Sequence, residues 1–275
     1  MTVRRGEHAC CHFRDGDDRE RFAVAFVRAA LRRGDKVVYL FDGDDAAGLI
    51  SRLERADAGF APAAARGQFQ ARRSREAYIP DGQFDPGRMV ARLRDERDVA
   101  RAEGYPGLSV AGELPTGFCE APGGELLGAY EALLASGIDA GSYSILCQYD
   151  PSRFGAEVLS QVIESHEVDA SPDLAPIGRD GDLAAVRDRG RGALRLAGEL
   201  DFGSAQALAE VLAHFDGPVR LDLADLSYVD VTGMRALRGR NGQRLTISRS
   251  SGAVRQLAAL LGWDTDPAIE FLDTG

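Results

Sequence analysis

The chain has 275 residues, 44% of them hydrophobic and 28% charged, and 43 acidic against 33 basic side chains give a formal charge of -10. That length suits two domains, and the acidic balance removes the field that would draw in phosphate backbones or anionic lipid, so nucleic acid and membrane surfaces are excluded as expected partners. The longest apolar runs fall far short of the roughly 20 residues that cross a bilayer.

In chain order, Phe22, Phe26, Ala29, Ala30 and Leu31 recur at helical spacing after the polar start Asp15-Gly16-Asp17-Asp18, and the pattern predicts a helix over 18–33 stopped by Gly34. The continuous run Lys36-Val37-Val38-Tyr39-Leu40-Phe41 reads as a buried strand. The turn Asp42-Gly43-Asp44-Asp45 then leads to a helix carrying Ala46, Leu49, Ile50 and Leu53. The alternation returns with a helix at Met89, Val90 and Leu93, a strand at Leu108–Ala111, a helix at Leu126–Leu134 and a strand at Tyr143–Tyr149. Strands separated by long helices require parallel pairing, so residues 1–170 are expected to form an α/β three-layer sandwich.

Two prolines, two glycines and several aspartates interrupt the pattern next, and residues 171–187 are read as a linker. From 188 to 275 a smaller α/β unit is expected. It has strands at Ala193–Ala197, Val219–Leu223 and Arg244–Ser248 and helices at Ser204–His214, after Gly233 and at Ala253–Leu261.

Open α/β sheets bind ligands at the carboxyl ends of their strands, which makes Asp42, Glu113, Tyr149 and Asp150 candidates for a small-molecule site, with Glu131 added from the preceding helix. The alternative is that Asp150 caps a helix and Glu113 pairs with an arginine. His8, Cys10, Cys147 and His166 offer the imidazole and thiolate ligands that zinc prefers. The H-x-C-C-H spacing around Cys10 is not a standard zinc pattern, so no cofactor is expected, with zinc kept as an open alternative. The four cysteines are expected to be reduced thiols in a cytoplasmic protein. No nucleophile elbow, H-E-x-x-H or paired C-x-x-C occurs, and no enzyme is expected.

Residues 188–275 resemble the STAS family of anti-sigma-factor antagonists. The likeness rests on Gly198-Glu199-Leu200-Asp201 after a strand and on Asp222-Leu223…Asp230-Val231-Thr232-Gly233-Met234 after the next. It implies a partner-switching module that binds an anti-sigma factor or a serine/threonine switch kinase. In that family the turn before the second helix carries a serine phosphoacceptor. Here Val231 stands at that position, leaving Thr232 as a later hydroxyl, and loss of the phosphate switch is expected. Residues 6–170 resemble the MEDS sensory domain, on the strength of His8-Ala9-Cys10, Gly112-Glu113, Tyr130-Glu131, Leu146-Cys147-Gln148-Tyr149-Asp150 and His166. That likeness implies a RecA/KaiC-like sandwich used as a sensor in transcriptional signalling, an arrangement familiar with STAS in actinobacteria. The segment Cys11–Arg19, where an ATPase would cradle phosphate, has one glycine, no Gly-Lys-Ser/Thr and three acidic residues. The implied role is a cytoplasmic sensor coupled to a STAS output, with oligomers allowed. The alternative is a small-ligand or metal-binding protein in which STAS serves assembly.

Overall fold

A computed structural model describes residues 3–57, 59–137, 143–170, 183–238 and 243–272. They fall into two compact units, Val3–Asp169 and Ala170 onward. The first unit runs β1 (His8–His12), α1 (Gly16–Arg32), β2 (Lys36–Phe41), α2 (Ala46–Ala56), α3 (Phe60–Ala65), β3 (Phe69–Arg73), α4 (Ser74–Tyr78), α5 (Pro86–Ala102), β4 (Leu108–Glu113), α6 (Leu127–Gly137), β5 (Tyr143–Tyr149), α7 (Ala156–Glu164) and β6 (Val168–Ala170). Its strand order is β6-β1-β5-β4-β2-β3, with the pairs from β1 to β3 parallel.

Every residue of β2, β4 and β5 is buried, which is why their sequences lack alternation: a parallel sheet covered on both faces asks for apolar side chains on each. One face carries Cys10, Val38, Leu40, Val110, Ile145, Cys147 and Tyr149 against α5, α6 and α7. Helix α1 packs on β2 and β4 with Phe22 and Phe26 buried, completing three layers. Aspartates start three of these helices. Asp15, Asp45 and Asp85 accept from Asp18, Gly48 and Arg88 backbone N–H groups at 2.9, 2.8 and 2.8 Å, satisfying donors the helices leave unpaired.

The second unit contains β7 (Leu183–Asp188), β8 (Ala193–Leu200), α8 (Phe202–Leu212), β9 (Val219–Val229), α9 (Val231–Leu237), β10 (Leu245–Ser250), α10 (Gly252–Leu260) and β11 (Ile269–Phe271). The order is β11-β10-β9-β8-β7; β7 and β8 are antiparallel and the remaining pairs parallel. Leu194, Leu196, Leu208, Leu221, Leu223, Met234, Leu237 and Trp263 form its core.

The linker read over 171–187 meets the structure only in part. Residues 171–182 lie outside the described residues, while Leu183–Arg187 belong to β7. The alanines there give no β-branched signal. What makes a strand of the segment is its pairing with β8, Leu183 opposite Gly198 and Val186 opposite Arg195. No helix among the described residues is long and apolar enough to cross a membrane.

Candidate functional site

Parallel register places His8 opposite Ile145 and Cys10 opposite Cys147, and alternate residues of a strand share a face, so His8, Cys10, Cys147 and Tyr149 all point toward α6 and α7. Glu131 descends from α6 onto that face, and His166 follows the end of α7. The ligating atoms of His8, Glu131, Cys147 and His166 lie within 4.8 Å of one another, and all four residues are buried. His8 Nε2 is 3.1 Å from Glu131 Oε2 and 3.3 Å from Cys147 Sγ; His166 Nε2 is 3.2 Å from the same Oε2, and Cys147 Sγ 3.8 Å.

Groups around the cluster fix its orientation. Tyr149 donates its hydroxyl to Glu131 Oε1 at 2.5 Å. His166 Nδ1 lies 2.7 Å from the Val162 carbonyl oxygen, which can only accept, so Nδ1 carries a proton and Nε2 is the ring nitrogen that faces the cluster. Burial pushes His8 below its ordinary value, opposed by its contact with Glu131, which favours a neutral imidazole. For Glu131, burial works to raise the carboxyl, but its close approach to His166 and His8 outweighs that and holds the group well below the usual carboxylate range. Burial, reinforced by the Glu131 charge, drives the Cys147 thiol and the Tyr149 hydroxyl upward.

Three of the four residues expected from sequence as metal ligands therefore converge, and Cys10 does not. Although Cys10 sits beside Cys147 in the sheet, its Sγ approaches Asp169 Oδ1 at 4.0 Å, and Glu131 fills the remaining corner from above. Glu131 and Tyr149, grouped in sequence with a strand-end ligand site, belong instead to this interior cluster. The signal for Glu131 was available: with Leu127, Tyr130 and Leu134 it occupies the buried stripe of α6, an acid where helical periodicity asks for an apolar residue.

Asp42, Glu113 and Asp150 do gather at the ends of β2, β4 and β5, already partnered. Glu113 accepts from the Tyr39 hydroxyl and from the Asp42 backbone N–H at 3.0 Å, with Arg19 at 3.5 Å. Burial raises its carboxyl above the usual value against the pull of Arg19 and Tyr39. Asp42 accepts from Thr116 Oγ1 at 2.7 Å and from Arg153 at 2.6 Å, and Arg153 reaches Asp150 at 3.1 Å. Asp150 also accepts from Ser152 N at 3.0 Å, the capping role weighed as its alternative.

In the second unit, β8 ends at Leu200 and Asp201 caps α8, accepting from Gly203 and Ser204 backbone N–H groups while Ser204 Oγ accepts from the Asp201 N–H, a reciprocal capping box. Asp230 caps α9, accepting from Gly233 N at 2.7 Å, and its other oxygen accepts from Phe202 N at 3.2 Å, so one carboxylate serves the first turns of both helices. Gly233 is required by a close approach: a Cβ there would lie 2.3 Å from the Leu200 carbonyl oxygen. Around these caps three apolar side chains face water, Phe202 at 80% exposure, Tyr228 at 52% and Val231 at 40%. Thr232 is exposed too, and the cap bond is made by Asp230 rather than shared with Thr232. Ser227, in β9, is also exposed.

The MEDS family, the methanogen/methylotroph, DcmR sensory domain, matches residues 7–167. The chain belongs to that family. Its MEDS unit is followed by a match to the Mlab STAS domain over residues 183–272, so the second unit is a STAS domain. No curated protein matches the chain. Among solved structures it is similar to the flagellar accessory protein FlaH from Methanocaldococcus jannaschii, with 10% identity, 67% of this chain and 78% of that one covered, and a TM-score of 0.40. A KaiC-like protein from Pyrococcus horikoshii OT3 gives 14% identity, 61% and 73% coverage and a TM-score of 0.41. An uncharacterized protein from Pyrococcus horikoshii in complex with an unknown peptide gives 12% identity, 67% and 84% coverage and a TM-score of 0.47.

Proposed function

We propose that the chain is a cytoplasmic signalling protein in which the MEDS unit senses and the STAS unit answers, by docking an anti-sigma factor or a serine/threonine switch kinase and so regulating transcription. The observation that carries this reading is the apolar group Phe202, Tyr228 and Val231, left in water around two capped helix starts. Apolar side chains held together at a rigid turn are costly to hydrate and gain when a partner covers them. A small ligand that biases the MEDS unit is compatible with this role, and the reading assigns the chain no catalytic activity.

A valine at the acceptor position removes phosphate control there, because a phosphate of about -1.5 to -2 charge has no hydroxyl to join. Docking at the turn is then governed by the MEDS unit rather than by modification. The full chain, tagged and recovered from its own host, is expected to retain an anti-sigma factor or a kinase of that class, to lose it on Phe202→Ser, and to carry no phosphate on Thr232. Retention that is indifferent to Phe202→Ser sinks the docking surface, and stoichiometric phosphothreonine at 232 sinks the loss of the phosphate switch.

A further inference from the structure

We infer that His8, Glu131, Cys147 and His166 form a closed binding site for one divalent first-row transition metal, with zinc the cation its donor set suits best. The inference stands on the MEDS unit alone and is independent of what the STAS unit binds.

Geometry is the first argument. Four ligands placed tetrahedrally about 2.0–2.3 Å from a common centre stand about 3.3–3.8 Å from one another. Four of the six donor separations, 3.1, 3.2, 3.3 and 3.8 Å, lie at or near that range, and all six fall within 4.8 Å. The side chains already converge on a space that suits one cation.

The second argument is that the donors do not satisfy each other. With Nδ1 of His166 committed to the Val162 carbonyl, its Nε2 is buried 3.2 Å from a carboxylate oxygen without a hydrogen-bond partner. His8 turns its Nε2 to the same carboxylate oxygen, 3.1 Å away, and to Cys147 Sγ at 3.3 Å. Lone pairs directed at one small volume repel unless a proton or a cation lies between them. Glu131 is moreover a buried carboxylate, and interiors carry such a group only where a cation or donors answer it. A divalent cation answers both demands, since two imidazoles, a carboxylate and the thiolate it would generate from Cys147 sum to its opposite charge.

The third argument lies around the ligands. Metal-binding histidines donate their far ring N–H to a carbonyl or carboxylate, and ligating carboxylates are themselves hydrogen-bonded. His166 does the first through Val162, and Glu131 does the second through Tyr149. Mixed nitrogen, oxygen and single-thiolate donors fit zinc, with iron, cobalt and nickel able to occupy the same cage. Four protein ligands leave no open coordination position, so the expected service is to pin β1, β5, α6 and the end of α7 together rather than to activate water.

Full-length protein purified without chelators and without a metal-affinity resin should contain about one zinc, or one equivalent of another divalent transition metal, per chain. Protein stripped of metal should take up zinc from a chromophoric chelator at that ratio. Cobalt chloride should produce the near-ultraviolet thiolate charge-transfer band and intense visible bands of four-coordinate cobalt. Cys147→Ser should abolish the charge-transfer band, while Cys10→Ser and Cys119→Ser leave it intact. Tyr149→Phe, which only frees one oxygen of a ligand, should weaken zinc about 10- to 100-fold. Failure of the wild-type chain to take up zinc, cobalt or iron overturns the site and leaves a protonated histidine pair on Glu131 as the occupant. Uptake that survives Cys147→Ser with its band, or that vanishes with exposed Cys119, overturns it equally.

Discussion

Arg153, bridging Asp42 and Asp150, and Arg19, beside Glu113, close the strand ends of the MEDS unit with charge, whereas the strand ends of the STAS unit are surrounded by exposed Phe202, Tyr228 and Val231. Both units are α/β sheets, and both would be searched first at the same place, the carboxyl edge. The comparison teaches that this place is self-neutralised in one unit and left apolar in the other. The MEDS unit keeps its unusual chemistry inside, on the sheet face under α6, and the STAS unit keeps its unusual surface outside. A molecule that acts on the first must alter a packed interior, while one that acts on the second needs only to cover it.

The sharpest way to break the STAS side is Gly233→Ala. Its new Cβ would meet a backbone oxygen of Leu200, which cannot swing aside as a side chain could, and overpacking of this kind costs about 1–3 kcal/mol. The chain's one tryptophan, Trp263, lies in the STAS core, so urea unfolding followed by its fluorescence reports on this unit. Its midpoint should fall most for this variant. Asp230→Ala comes next, losing about 1–2 kcal/mol by the same measurement, and Asp230→Asn should recover part because asparagine still accepts the cap bond.

On the MEDS side the effects are smaller and depend on pH. Burial opposes ionisation of Asp42, but its bonds to Thr116 and Arg153 win and lower its carboxyl below the ordinary value. A depressed folded value means stability that is present above the unfolded carboxylate range and lost as pH falls through the folded one. Asp42→Asn should therefore cost up to about 1 kcal/mol at neutral pH, since Arg153 is partly exposed and screened. The deficit should shrink toward zero as the medium is acidified below about pH 4. Circular dichroism along a pH series checks both the sign and the window; a deficit that grows in acid contradicts it. Smallest of all, Phe202→Ser should leave the Trp263 transition within about 0.5 kcal/mol of wild type, because the side chain is solvated already. A larger loss would mean that Phe202 supports the fold rather than a partner.

The fold was most legible where burial is two-sided. Lys36–Phe41 and Tyr143–Tyr149 announce themselves as mostly apolar runs without alternation and form β2 and β5 over those residues. Phe69–Arg73, by contrast, ends in two arginines, pairs at the margin of the sheet with only β2, and has no periodicity to betray it. The interior cluster was half legible for a similar reason. His8, Cys147 and His166 are chemically conspicuous, but a one-dimensional pattern does not say that α6 delivers Glu131 over β5 while Cys10 turns to β6. Residue type named the donors, and only tertiary contact chose among them. At the STAS turn the order was reversed. Asp201 and Asp230 follow local rules of capping and so can be read directly, whereas the need for Gly233 comes from the distant end of β8 at Leu200 and the exposure of Phe202 from what the rest of the unit fails to cover.

A single carboxylate holds both Phe202 N and Gly233 N. The two helices α8 and α9 are thus fastened at one pin, though the strand β9 and a loop separate them in the chain. The two bonds fall on different oxygens of one side chain, so displacing either helix start moves the acceptor of the other. A load applied at Val231 thereby reaches Phe202 through Asp230 without passing through the hydrophobic core.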